Sequence, residues 1–535
     1  MEERILEDLR HIESDTRYVA NKKVYDIYPE DCLEVESRLY ACFGESHAKF
    51  GPMKIACLLK GKKNVVLDFQ GATILLHGRL QAFVLDSCEN VCIENVNIKA
   101  ARPFTTEFEV IKSDAHCMRL RPLPGFDVEI EDEKIIPVGE NYRNDYLDKA
   151  PVFLQAFNPD RTGDGLTLAI FGAHPDPDPT LPWLVYTQRL RCRFEGDDLL
   201  LEGDNVAVFK EGNRAIIGHE DRTYSTIYLV DCRSITLRSF RILTGPGMGV
   251  GAFHTGNLTL DRLLLTYDET SPGFSTNAAD GIHATACYGS FRMQDCVIEG
   301  TIDDALNIHS NFWRVVAAEG NSLISKSRGS VAKEYRIYEP GDVIAVYRGS
   351  TMEKKGEATI LAIEPHEAGK RFTLDREIKG IEPGDLIENV SCQPHVTMER
   401  CRFGKANTHL RLQTRGGIEI RDSYTELPFL LTGDTNYWYE SSPVDHMLVE
   451  NVTFAGYRAN ILVIPEFDES KKEPHYHGEL EVRHCSFEPK TVVSARQIRR
   501  VVFEDNVSSS NQEMVVELDR VGEAKIQGAN IQRKA

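Results

Sequence analysis

Along most of the 535 residues, short stretches of alternating apolar and polar positions follow a brief polar turn. The pattern reads SCENVCIENVNI at 87–98, DCRSITLRSFRI at 231–242 and HTGNLTLDRLLL at 254–265. It returns as CYGSFRMQDCVI at 287–298, PHVTMERCRF at 394–403 and RGGIEIRDSY at 415–424. Later copies are VDHMLVENVTF at 444–454, HGELEVRHCSF at 477–487 and RQIRRVVFEDNV at 496–507. Side chains of a strand alternate between its faces, so a period of two marks a strand with one buried side. A longer period overlies it: Ile235 to Leu258 is 23 residues, Val396 to Ile418 is 22 and Leu480 to Val501 is 21. No helical periodicity fills these intervals. A strand that comes back every ~20–25 residues without a helix is one coil of a parallel β-helix, each coil burying its inward face on the next. The LxxLxLxxN signature of leucine-rich repeats is missing, and a propeller blade needs ~40–50 residues.

Two segments interrupt the repeat. The first, about 104–222, holds LPGFDVEIEDEKIIPVG, the Pro-rich GAHPDPDPTLPW and LRCRFEGDDLLLEG, and reads as a small β-barrel or sandwich. In the second, about 313–393, EPGDVIAVY and EPGDLIENV bracket EATILAIEPHEAGKRFTLDREI, again a small barrel pattern. The expected fold is all-β: a right-handed parallel β-helix with two inserted small antiparallel β-barrel domains. Its parts are an N-terminal segment with the first coils at 1–103, a barrel at 104–222, coils at 223–312, a second barrel at 313–393 and closing coils at 394–535. Insertions in solenoids emerge on one face, often the binding face.

Composition narrows the function. A formal net charge of −20 argues against nucleic acid and against an anionic membrane surface as partners. The thirteen cysteines form no CxxC pair and most sit in the repeats, as buried free thiols of a reducing compartment would. The acidic N-terminus lacks an apolar h-region, and no stretch approaches ~20 apolar residues, so the expectation is a cytoplasmic chain that spans no membrane. In such a chain the NxS/T matches at Asn257, Asn389, Asn451 and Asn506 read as polar turn asparagines.

The candidate chemistry concentrates in SPGFSTNAADGIHATACYGSFRMQDCVIEGTIDDALNIHSNFWR, 271–314. Asp280 and Asp303 are 23 residues apart, one coil, so Asp280 is expected beside the Asp303–Asp304 pair. Like charges that close cannot all ionise comfortably, and at least one pKa is expected to rise. Glycoside hydrolysis uses such a split, one protonated acid and one carboxylate. An Asp-Asp after a glycine is commonly only a turn. Two aspartate sites in register, each followed by a histidine (His283, His309), favour chemistry here. Asn307 and the carboxylates could also ligate calcium; the reading adopted is no metal and no cofactor. A second cluster, TRGGIEI (414–420) and GDTNYWYESSP (433–443), offers Arg415, Asn436, Trp438 and Glu440. Sugars stack on aromatic rings and hydrogen-bond to nearby polar groups.

At these residues the chain resembles glycoside hydrolase family 110, the bacterial α-1,3-galactosidases. STNAADGIHATACYG, GTIDDALNIHSNFWR, GDTNYWYESSPV and the run from PGDLIENV to TRGGIEI carry the likeness, which extends from about 60 to 510. The resemblance implies an exo-acting, cofactor-free enzyme that removes terminal α-1,3-linked galactose with inversion. It implies Asp280, Asp303 and Asp304 as catalytic residues. His283, Asn307, His309, Arg415, Asn436, Trp438 and Glu440 are the candidates for substrate binding. The partner would be a glycan with terminal α-galactose, and solenoid edges are compatible with a homodimer. The alternatives are a polysaccharide lyase or polygalacturonase-like enzyme on the same solenoid, or a non-catalytic carbohydrate-binding solenoid.

Overall fold

The apolar positions of the repeat point inward and stack coil on coil. One inward column runs Val91, Ile235, Leu258, Phe291, Val396, Ile418, Met447, Leu480, Val501, each the register partner of the next. All nine are buried. The three spacings counted in the sequence are therefore true coil-to-coil pairings. The computed structural model describes residues 9–35, 40, 52–144, 152–158, 163–171, 185–186, 191–203, 209–219, 224–327, 336–405, 408–433, 435, 438–456, 460–465 and 475–534. The chain is an all-β parallel β-helix: among the described residues, thirty-two strands join one continuous, mainly parallel sheet.

The described strands form three walls. One wall contains Glu89–Ala100, Arg233–Thr244, Gly256–Asp261, Tyr288–Gln294, His395–Glu399 and Ile418–Arg421. A narrow second wall holds short strands such as Tyr424–Thr425, Thr453–Phe454 and Ser486–Phe487. Phenylalanines stack along its inner side: the Phe454 and Phe487 rings lie 4.6 Å apart and nearly parallel, and Phe429 from the third wall and Phe503 from the first close on them at an angle. The third wall carries Met248–Phe253, Ile282–Thr285, Leu306–Asn311, Leu410–Leu412 and Phe429–Leu431.

Polar residues turn the corners. Asn64, Asn90, Asn257, Asp295, Asp422 and Asn451 have positive φ, which short polar side chains tolerate better than branched ones. Their side chains bond along the axis, as where Asn90 donates to Asn64 at 2.8 Å. Asn506 does the same inside the coil, accepting from the Cys485 N–H at 2.8 Å and donating to the Val482 carbonyl at 2.9 Å. All twelve described cysteines are free, and nine are buried. Burial pushes the Cys57 and Cys287 thiols up to about 12, so they pack as small apolar groups rather than as nucleophiles.

The interruptions leave the coil stacking intact. Glu89–Ala100 pairs directly with Arg233–Thr244, Glu89 opposite Arg233, across the whole first insert. The described strands of that insert form an eight-stranded sheet and a three-stranded sheet. The second insert does close, in the order Trp313–Glu319, Ser322–Lys326, Gly369–Leu374, Lys354–His366, Val343–Tyr347, Leu386–Asn389. It leaves the third wall at Phe312, directly after Leu306–Asn311. Among the described residues no helix is long and apolar enough to cross a membrane.

Because the phenylalanine column has no solvent side, truncation leaves a cavity that the stacked coils cannot close. Phe454→Ala should lower unfolding free energy by about 3–5 kcal/mol. Urea unfolding followed by far-UV circular dichroism measures this, and a loss below 1 kcal/mol would mean the column is not tightly packed.

Candidate active site

The third wall brings the acidic segment together. Ile282 pairs with Leu306 and His283 with Asn307, a coil of 24 residues. The Gly281 N–H donates to the Asp304 carbonyl at 2.9 Å, and Asn277 bridges to Thr301 with the same offset. Asp280 therefore stands over Asp304, and Asp303 lies one place further out. Asp280 and Asp304 are buried, while Asp303 is half-buried. Both aspartates of the pair sit in a bend before Leu306, so they are not tied to the strict alternation of a strand.

Local contacts fix this turn. Asn277 Nδ2 donates to the carbonyls of Gly247, Ala279 and Asp280 at 3.2, 2.9 and 2.6 Å. Gly281 is required beside Asp280, because a Cβ there would meet the Ala305 carbonyl oxygen at 2.7 Å. The Thr301 hydroxyl donates to the Asp303 carbonyl at 3.2 Å, and the Asp304 N–H caps Asp303 Oδ1 at 3.0 Å.

Each carboxylate has its own partners. Asp280 Oδ2 meets His283 Nδ1 at 2.5 Å. His283 Nε2 lies 3.0 Å from His309 Nε2, the two rings edge-to-face. His309 is stacked over Thr285, not over His283, and reaches its neighbour by tilting. Asp304 Oδ1 accepts from the Thr408 hydroxyl at 2.6 Å, and Asp304 Oδ2 accepts from Arg411 Nε at 3.3 Å. Donors occupy both oxygens, the reverse of a calcium ligand. Burial alone would raise the Asp304 carboxyl; the Arg411 and His409 charges and the Thr408 hydroxyl outweigh it and hold the carboxyl well below the usual range.

Glu440 completes the cluster. The short strand Glu440–Ser441 returns antiparallel to Leu306–Asn311, with Glu440 opposite Asn311. Asn307 Nδ2 donates to Glu440 Oε1 at 3.4 Å, and Arg411 Nη1 reaches Glu440 Oε2 at 3.2 Å. Burial pushes Glu440 up, and the charges of His309, Arg411 and His283 bring it below its ordinary value. Burial lowers His309 from 6.5 to about 4, so it is neutral near pH 7. Arg411 is then the cation that holds Glu440 there. Asn307 Oδ1, Ser310 Oγ and Asn311 Oδ1 are buried without a protein partner. Unpaired buried acceptors and hydroxyls on one wall are what a polyhydroxylated ligand can satisfy.

The structure thus joins Asp280, Asp303, Asp304, His283, Asn307, His309 and Glu440. Arg415 is not among them. It is drawn into a separate network with Glu388 at 3.0 Å and the Tyr347 hydroxyl, at the seam with the second barrel. Trp438 is half-buried two residues before Glu440, and Asn436 lies outside the described residues. Arg411, Thr408 and Asn277 were not singled out from the sequence. Arg411 did leave a signal: with 313–393 excised, it falls one coil of 23 residues after Asn307.

Fold and site together define a parallel β-helix whose lateral wall bears a buried cluster of carboxylates, histidines and one arginine. No protein-family model matches the chain. Alpha-1,3-galactosidase B of Bacteroides thetaiotaomicron is 22% identical over 515 residues, 91% of this chain and 80% of that one. Alpha-1,3-galactosidase A of Bacteroides fragilis is 24% identical over 447 residues, 80% of this chain and 70% of that one. Alpha-1,3-galactosidase B of Parabacteroides distasonis is 24% identical over 521 residues, 91% of this chain and 81% of that one. These galactosidases are homologues of the chain. Among solved structures, a polygalacturonase of Erwinia carotovora aligns with 98% of this chain and 99% of its own at 10% identity. The TM-score of that alignment is 0.27.

The depressed His309 makes the cluster acid-sensitive. Between pH 6.5 and about 4 the unfolded chain binds a proton at this position and the folded chain does not. Stability from this group is full above 6.5 and is lost as pH falls towards 4. His477, lowered to about 3, adds to the same slope. His309→Gln should flatten the pH dependence of the unfolding free energy across that window by up to about 3 kcal/mol. Superimposable wild-type and variant profiles would contradict a neutral His309.

Proposed function

We propose that the chain is a glycoside hydrolase of family 110 that removes terminal α-1,3-linked galactose from the non-reducing end of a glycan, with inversion. One observation carries the reading: a buried carboxylate, Asp304, is held ionised by Arg411 directly beneath Asp280 and next to the half-buried Asp303. The names of the homologues supply the sugar and linkage.

The division of labour follows from the partners. Asp304 cannot be the proton donor while Arg411 keeps it ionised, so Asp303 serves as general acid to the glycosidic oxygen. Asp304 and Asp280 hold and deprotonate the attacking water. His283 backs Asp280 through its short hydrogen bond and can take up part of the released charge. Asn307, Glu440 and His309 orient galactose hydroxyls, and Trp438 offers a stacking face. The dry wall strengthens each contact, since water no longer screens it.

Asn replacement of Asp280, Asp303 or Asp304 should lower kcat by about 10^2–10^4-fold with little change in the thermal midpoint. Proton NMR of α-1,3-galactobiose cleavage reads the anomer released first. Appearance of α-galactose first, or near-normal turnover in an Asn variant, would remove inversion or that residue from the scheme. An unsaturated product absorbing in the ultraviolet would replace hydrolysis by elimination. Arg411→Gln should raise the Asp304 pKa, so the acid limb of the kcat/KM profile should move to higher pH; an unmoved limb would deny Asp304 the role of base.

A further inference from the structure

Glu107 is a buried carboxylate outside the aspartate cluster. It lies in the strand Thr105–Ser113 of the first insert, directly opposite Ile216, and is 0% exposed. Its Oε2 accepts from the Phe274 N–H at 2.7 Å. Its Oε1 accepts from the Ser275 N–H at 2.9 Å and from the Ser275 hydroxyl at 2.5 Å. The Ser275 proton is thereby spent, so the Thr105 hydroxyl donates to Ser275 Oγ, 2.6 Å away. All three donors to Glu107 belong to the loop that leads into Asp280. Burial pushes the Glu107 carboxyl up, opposed by these donors and by the charge of Arg214, which lies 5.1 Å over the Phe274 ring. Fastening an insert to a coil needs no charge, since apolar contacts suffice, and a buried carboxylate is costly unless donors compensate it. What a carboxylate adds is direction: two oxygens fix two successive backbone N–H groups.

The loop passes this hold on to both aspartate turns. Thr276 follows Ser275. Its N–H donates to the Gly300 carbonyl at 2.7 Å, its carbonyl accepts from the Gly245 N–H at 2.7 Å, and its hydroxyl donates to the Glu299 carbonyl at 3.0 Å. Asn277 comes next, bridged to Thr301 and bonded to the Asp280 carbonyl. Thr301 in turn donates to the Asp303 carbonyl. Apolar contacts run the same way. Phe157 and Ile216 of the insert cluster with Phe274 and with Ile302, the residue before Asp303. The insert comes so close at Gly218 that a Cβ there would meet Ile302 Cδ1 at 2.6 Å and the Ala278 carbonyl oxygen at 3.2 Å. One face of the first insert therefore touches the turn before Asp280 and the turn before Asp303 together.

We propose that the first insert is a working part of the catalytic frame and that Glu107 is its positioning residue, fixing the turns of Asp280 and Asp303 relative to one another, a reading that rests on the glycosidase assignment above. Glu107 touches no substrate. It acts through Ser275, Thr276 and Asn277 on the backbone that carries the acid and the base. Those two groups must meet the sugar from different sides at the same moment, so a small displacement of either turn lowers the rate of bond cleavage. The groups assigned to hold galactose, Asn307 and Glu440, stand on the strands Leu306–Asn311 and Glu440–Ser441, which Glu107 does not contact.

Glu107→Gln keeps the size of the side chain but turns a donor towards one of the two N–H groups. On α-1,3-galactobiose it should lower kcat by about 10–100-fold and leave KM within about twofold, measured well below the thermal midpoint. Ser275→Ala, which removes only the hydroxyl donor, should lower kcat by a smaller factor and serves if Glu107→Gln does not fold. Glu109→Gln, two residues along the same strand and exposed, should match the wild type. Amide hydrogen exchange supplies a readout free of turnover. Loss of protection at Phe274 and Ser275 alone is what a mere fastening predicts. Positioning predicts that peptides 276–282 and 300–305 also exchange about tenfold faster in Glu107→Gln. Wild-type kcat in both variants, or faster exchange confined to 274–275, overturns the role of Glu107 and leaves the galactosidase reading standing. If the wild type cleaves no galactoside while exchange spreads to both aspartate turns, the galactosidase reading falls and the positioning by Glu107 stands.

Discussion

Each coil of this solenoid buries its inward side chains only because the next coil covers them. Backbone pairing between coils is therefore the constraint on which everything else hangs. A parallel ladder cannot slip by one residue without turning its buried column outward. That lock fixes the third wall at its 24-residue offset and sets Asp280 over Asp304. It also lets the chain leave for a whole barrel and return in register, as Ser290 and His395 show.

The same lock creates an electrostatic difficulty and its solution. Two aspartates on successive coils cannot separate, and both are buried. The fold gives each a different partner: His283 for Asp280, and Arg411 with Thr408 for Asp304. Arg411 comes from the following coil and reaches both Asp304 and Glu440, so one cation neutralises two acids. An expected rise in one carboxyl is met instead by a fall at Asp304, because a guanidinium in contact outweighs desolvation.

The second barrel is more than a decoration of the solenoid. Its first strand continues the wall that bears His309, and its Arg314 is tied to the residue before Glu440.

The amino-acid sequence alone determined the solenoid, because alternation and a coil-length period are local and repeat many times. It singled out Asp280, Asp303, Asp304, His283, His309 and Glu440 as candidates, because unusual polar residues interrupt a regular apolar pattern. The tertiary structure decided the pairing of Asp280 with Asp304 over Asp303, since a bend lengthens that coil by one residue. It also decided for Arg411 over Arg415. Those two arginines are four positions apart in the chain, yet one faces the carboxylates and the other the Glu388 seam. Only a three-dimensional register carried across an 81-residue excursion, 313–393, brings Arg411 under Asn307. The opposition of Arg314 and Lys326 was equally hidden, because hairpin register depends on turn geometry that composition does not reveal.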